Sequence, residues 1–210
     1  MRNIKVFLVL FSPLFVACLF VVPATALIDI STHSFSNCGF PDTGQKICYN
    51  ASTTPLTSCN MAFSQDATYM PSSTQPKYTV YKLADASLVT VDDRTGLMWI
   101  TNAGSEYDLY LWDSAIYYCE SLTYAGYADW RVPNVRELMS IVNYQNLHPA
   151  INSTAFPDTF SDIYWTSTTQ LDPTGYDYNE FKFVVNFDFG EVSARHADIN
   201  AFVRCVRGGP

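Results

Sequence analysis

Positive charge is scarce in this chain: 12 Lys and Arg stand against 20 Asp and Glu in 210 residues, a net charge of −8. An acidic surface repels phosphate backbones and anionic membranes at long range, which argues against nucleic acid as a partner and disfavours simple attraction to sulfated polysaccharide. Histidine is scarcer still. His33, His148 and His196 lie far apart, and no two cysteines have the spacing of a zinc ribbon or a thioredoxin-type redox pair. An EF-hand pattern, a fixed-period repeat and a low-complexity tract are also missing. No cofactor is expected.

What is present begins with a leader. Arg2 and Lys5 form a basic start, Val6 to Val22 is almost wholly apolar, and Ala24-Thr25-Ala26 has the small-x-small pattern of a cleavage site. The apolar run contains Pro13, is near the lower limit of the roughly 20 residues a bilayer span needs, and is followed by no basic stop-transfer cluster. An uncleaved anchor is the alternative. A lipoprotein anchor at Cys18 fits poorly, because Phe15 stands where a lipobox expects Leu. Cleavage after Ala26 leaves residues 27–210 with a net charge of −10, without stable membrane insertion, in the periplasm, on the outer surface or outside the cell. Cys38, Cys48, Cys59, Cys119 and Cys205 then remain, and in an exported chain they read first as disulfide partners. Spacing does not decide connectivity. The expected pairs are Cys48–Cys59 and Cys119–Cys205, with Cys38 free or intermolecular.

Three segments follow from composition: 1–26 as signal peptide, 27–80 as a loop-rich extension held by a disulfide, and 81–210 as the folded domain. Tyr78 to Tyr81, Leu88 to Val91 and Leu97 to Ile100 read as strands, with turn chemistry at Asp92-Asp-Arg-Thr-Gly96. Trp112, Ala115, Ile116, Cys119 and Leu122 fall on one face of a helix, which Gly126 is expected to end. A second helix starts at Asn134, where Glu137 completes a capping box and Val135, Leu138, Met139 and Val142 form the apolar stripe. Further strands are expected at Ile163 to Ser167, Phe181 to Phe187 and Ala201 to Val206, with an exposed loop from Gln170 to Glu180. Two helices between groups of strands make an α+β domain with a mostly antiparallel sheet.

The blocks Thr95-Gly-Leu-Met-Trp99, Trp112 to Cys119, Asp129-Trp-Arg-Val-Pro-Asn134 with Glu137-Leu138, Tyr164-Trp165 and Val203-Arg-Cys-Val-Arg-Gly208 occur in order, after an upstream Pro41-Asp-Thr-Gly-Gln45. In this the chain resembles the Lcl C-terminal domain family, exported bacterial domains of poorly known function named for a collagen-like adhesin. It departs from the family at Leu111, where a Ser or Thr cap is usual. The resemblance implies a C-type-lectin-like architecture, distantly related to the formylglycine-generating enzymes. It also implies a bridge from the first helix to the last strand, a role that Cys119 and Cys205 fit. The enzyme's paired active-site cysteines have no counterpart here, and neither do the Glu-Pro-Asn and Trp-Asn-Asp triplets by which lectin relatives hold calcium and sugar.

Trp99, Trp112, Trp130 and Trp165 are therefore expected in the core, whereas loop tyrosines Tyr107, Tyr124, Tyr127, Tyr176 and Tyr178 are the better candidates for an exposed platform. Asp172, Asp177, Asn179 and Glu180 could converge on calcium, as could Asp92 with Asp93, but a solvated acidic loop is the favoured reading. Arg131 is a candidate ligand contact, with a structural ion pair as its alternative. Ser193, His196 and Asp198 have the residue types of a hydrolytic triad at an arbitrary spacing. Together these features predict an exported binding or adhesion module for a polysaccharide or surface glycan, with its site in loops Asn143–Asp162 and Gln170–Glu180. A periplasmic enzyme and a homo-oligomeric structural component of the envelope are the alternatives.

Overall fold

A computed structural model describes residues 42–48, 55, 75–102, 104–105, 108–171 and 180–208. The leader, Cys38, Cys59, Tyr107, Asp172, Tyr176, Asp177 and Tyr178 lie outside the described residues. Strands β1 (Tyr78–Lys82), β2 (Leu88–Asp92) and β3 (Met98–Ile100) form an antiparallel meander that β7 (Val206–Arg207) completes, in the order β1-β2-β3-β7. Between them the chain forms α1 (Trp112–Ser121), α2 (Val135–Met139) and a second antiparallel sheet of β4 (Ile163–Thr169), β5 (Phe181–Asn186) and β6 (Glu191–His196). The fold is α+β, but with two sheets in place of the one expected. The extra strand β6 is polar, Glu-Val-Ser-Ala-Arg-His, because it lies at a sheet edge with no buried residue.

Side-chain alternation explains why β2 and β3 are so buried, whereas β1, at the sheet edge, has no buried residue. Val89, Val91 and Met98 enter one core cluster with Ala115, Cys119, Trp130 and Trp165, while Trp99 and Val206 enter another with Leu138, Ile141, Phe156 and Phe187. Successive residues of a strand face opposite ways, so a sheet covered on both sides reads as continuously apolar. Two polar residues of β2, Thr90 and Asp92, are also buried, and the Thr90 hydroxyl contacts Thr101 Oγ1 and donates to the Ala155 carbonyl. Residues 143–162, expected as an open loop, instead bury Ala150, Ile151 and Phe156, and Ile151 forms a bridge with Val142.

A local signal sets the start of α2, whereas that of α1 is held from a distance. At α2, Asn134 Oδ1 accepts from the N–H groups of Arg136 and Glu137, and Glu137 accepts from the Asn134 N–H, closing the capping box. At α1, Leu111 offers no side-chain cap, and the Trp112 N–H donates instead to the Ala197 carbonyl at 3.2 Å. The helix ends at Ser121, ahead of Gly126. That glycine, at φ 76, serves the tight Tyr124–Tyr127 turn and does not terminate the helix.

The last segment joins the two sheets. Phe202 pairs in parallel with Tyr164 of β4, and four residues later Val206 pairs with Trp99 of β3. Only Val206–Arg207 is a regular strand, where one from Ala201 was expected. Cys205, just before β7, bridges to Cys119 in α1 over a separation of 86 residues. Closing a loop of that length contributes about 4–5 kcal/mol in the chain-entropy model. Cys48 is buried and also disulfide-bonded; its expected partner Cys59 lies outside the described residues. Residues 42–48 dock on the domain, with the Tyr144 N–H donating to the Thr43 carbonyl and the Lys46 N–H to Gln145 Oε1. β1 begins at Tyr78, ahead of the domain boundary expected at 81.

Candidate functional site

Most charged groups in the sequence blocks are engaged in holding the chain together. The Arg131 guanidinium meets both oxygens of Glu137 at 2.7 Å and donates to the Gly208 carbonyl, which ties α2 to the end of the chain. Glu137 holds that guanidinium's pKa above its ordinary value. Arg207 grips Asp129 through two nitrogens at 2.7 and 3.0 Å and lies 3.7 Å over the Tyr127 ring. Arg204 is 1 % exposed and donates to the carbonyls of Ile100 and Thr101 and to Thr159 Oγ1, and burial pushes its pKa down. A buried cation bonded to neutral acceptors serves as a strut between strands, because the bonds offset part of its desolvation.

The aromatic residues divide in the same way. Trp99, Trp130 and Trp165 are buried, and Trp112 is half-buried with its indole N–H on the Thr166 carbonyl and Lys182 over its ring. Two loop tyrosines expected at the surface are not free. Tyr127 is buried beneath Arg207, and Tyr124 packs edge-on to Trp130 while its hydroxyl both donates to the carbonyl and accepts from the N–H of Leu88. Tyr117 on α1 is the most exposed described ring, at 74 %.

Three surface places combine polar and aromatic groups. At the first, at the end of β6, both His196 ring nitrogens meet carboxylates at 2.5 Å, Asp198 through Nδ1 and Glu180 through Nε2. The two carboxylates raise the imidazole's pKa above its ordinary value, and both ring nitrogens are occupied. Ser193 does not join it: its Oγ is buried without a partner, because residues 193 and 196 of one strand face opposite ways. The triad residue types therefore do not assemble. Glu180 is turned to His196, and Asp92 and Asp93 are occupied by Thr95, Arg94, Thr79 and Lys77. Among the described residues no group of three or more His, Cys, Asp or Glu is placed to hold a metal.

At the second place, Met139, Val142 and Tyr144 line a groove of about 330 Å³ between α2 and the docked Asp42–Thr43 stretch. Arg136 and Ser140 complete its mostly apolar lining, and the Tyr144 hydroxyl is engaged by the Gly190 carbonyl.

The third is a cleft of about 300 Å³ between α1 and residues 203–205. Ile100, Leu122 and Val203 supply apolar surface, and Asn102, Tyr118 and Tyr124 line the rest. Cys205 lies in its wall, so the bridge that ties α1 to the last segment also fixes the position of Tyr118, the residue next to Cys119. Tyr118 is 38 % exposed and stacks on Tyr110 with ring centroids 4.9 Å apart. Burial and then the Asp108 charge push its hydroxyl's pKa up. Asp108 is not part of the cleft wall but lies against Gly104, which is; its Oδ2 accepts from the Ser105 N–H at 2.7 Å. Among the described residues neither the Tyr118 hydroxyl nor the exposed Asn102 amide makes a hydrogen bond. Sequence reasoning missed this cleft. Its one local signal is Tyr117-Tyr118 on the outer face of an amphipathic helix, where core packing does not call for two large rings.

Compared with known families, residues 88–207 match the model of the Lcl C-terminal domain. Among curated proteins, none matches the chain.

Proposed function

From the premise that the chain belongs to the Lcl C-terminal domain family, we propose that it is an exported, lectin-like binding or adhesion module that recognises a polysaccharide or surface glycan in the cleft beside α1. The observation that carries this is the combination of a ring face with unengaged hydrogen-bonding groups in one concavity: Tyr118, with the Asn102 amide beside it. Sugar recognition needs both, an aromatic surface for the apolar face of a pyranose and planar polar groups for its hydroxyls. The groove at α2 carries polar groups as well, Arg136 and Ser140 among them, but its surface is mostly apolar and its ring, Tyr144, has its hydroxyl engaged by Gly190; the His196 cluster has no free nitrogen.

The Cys119–Cys205 bridge supports the compartment, since such bonds persist in oxidising surroundings. Among the described residues no helix is long and apolar enough to cross a membrane.

A glycan array followed by calorimetry tests the proposal. Wild type is expected to bind at least one non-sulfated glycan, and Tyr118→Ala to weaken that binding about tenfold, the equivalent of 1.4 kcal/mol. Absence of binding across neutral, amino and acidic glycans would overturn it, as would binding that neither Tyr118→Ala nor Asn102→Ala alters.

A further inference from the structure

We infer that the cleft selects a sugar bearing a free amine, such as glucosamine, with its ammonium at the Asp108 carboxylate and its ring against Tyr118; this rests on the glycan proposal above. Asp108 is exposed, and among the described residues no Lys, Arg or His pairs with it. Only its Oδ2 is engaged, by the backbone of Ser105. Its placement is built into the loop. Gly104, which lines the cleft at φ 91, leaves the space that the carboxylate fills, because a Cβ there would stand 2.6 Å from Asp108 Oδ2.

Among the described residues the cleft wall holds one cationic residue, Arg204, which is too buried to reverse this polarity. Arg204 is 1 % exposed, and its terminal nitrogens are taken by Ile100, Thr101 and Thr159. A sulfate or uronate at the Gly104 side of the cleft therefore approaches the Asp108 carboxylate and, among the described residues, no exposed cation, whereas an ammonium there approaches opposite charge near Tyr118, whose ring also attracts cations. The chain's net charge of −8 adds a long-range field of the same sign. N-acetylation removes the cation and leaves the ring, so the two forms of one sugar separate the charge contribution from the stacking contribution.

The experiment is calorimetric titration of the full chain with a β-1,4-linked glucosamine oligomer, its N-acetylated counterpart and a heparin fragment, below the pKa of the sugar amine. The glucosamine oligomer is expected to bind at least tenfold tighter than the acetylated one, to weaken as salt is added, and to lose its advantage in Asp108→Asn. Heparin is expected not to bind. Gly104→Ala, which displaces the carboxylate without removing it, is expected to reduce the preference with Asp108 still present. Equal affinity for the two oligomers, or a preference that Asp108→Asn leaves intact, would overturn the inference, while binding of both that depends on Tyr118 would leave the glycan proposal standing. Failure of both oligomers to bind counts against the inference, and the glycan array then decides the proposal beneath it.

Discussion

The cleft beside α1 and the Glu180–His196–Asp198 cluster both gather aromatic and polar side chains at the surface, but they differ in what is left unengaged. In the cluster each group answers another: two carboxylates occupy the two imidazole nitrogens, and the Phe181 ring lies edge-on to the imidazole. In the cleft the Tyr118 hydroxyl and the Asn102 amide have no hydrogen-bond partner among the described residues. Acidic and aromatic composition is similar at the two places, so composition does not distinguish a binding site from a surface clasp. Unengaged hydrogen-bonding capacity inside a concavity does.

Removing the anchor of the cleft gives the largest expected effect. Cys119→Ala with Cys205→Ala is expected to lower stability by about 4–5 kcal/mol in denaturant titration, and to abolish glycan binding in whatever fraction stays folded. If binding survives intact, the bridge does not position Tyr118. Next is the strut behind the cleft wall. Arg204→Ala leaves the Ile100 and Thr101 carbonyls without their donor and opens a cavity beside Phe156, at an expected cost of about 3 kcal/mol. A loss below about 0.5 kcal/mol would show that water replaces the guanidinium. Smallest is the clasp itself. The carboxylates raise the folded-state pKa of His196, so its stabilising effect is fully present below the unfolded value of about 6.5 and is lost as pH rises through the folded value. Thermal melts of wild type and His196→Gln are expected to differ slightly at about pH 6 and to converge in alkali, with glycan affinity the same in both. A fall in affinity would erase the contrast between the two places.

Parts of the molecule were legible for identifiable reasons. The alternation of Tyr78 to Val91 and the 3.6-residue period of Trp112 to Leu122 report which faces are covered, and the Asn134–Glu137 box closes between residues three apart. Strand β6 was hidden because an edge strand has no buried face to impose a pattern. Residues 143–162 read as open loop because Ala150, Ile151 and Phe156 are held in the core by contacts distant in sequence, not by any period of their own. The cleft was the least legible. Asn102, Gly104 and Asp108 are ordinary loop residues in isolation.

By itself, then, the sequence determined the α+β class, the two helices and the cap of the second, the core faces of the periodic elements, and the family. These depend on neighbours a few positions apart, or on ordered blocks that can be compared directly. Only the tertiary structure decided that there are two sheets, that the arginines near the C-terminus are struts, and that Tyr118 and Asn102 remain unengaged beside Asp108. Which hydrogen bonds a group makes depends on what packs beside it. Here those neighbours come from segments up to about a hundred residues apart, as in the bonds of Arg204 to Ile100 and Thr101.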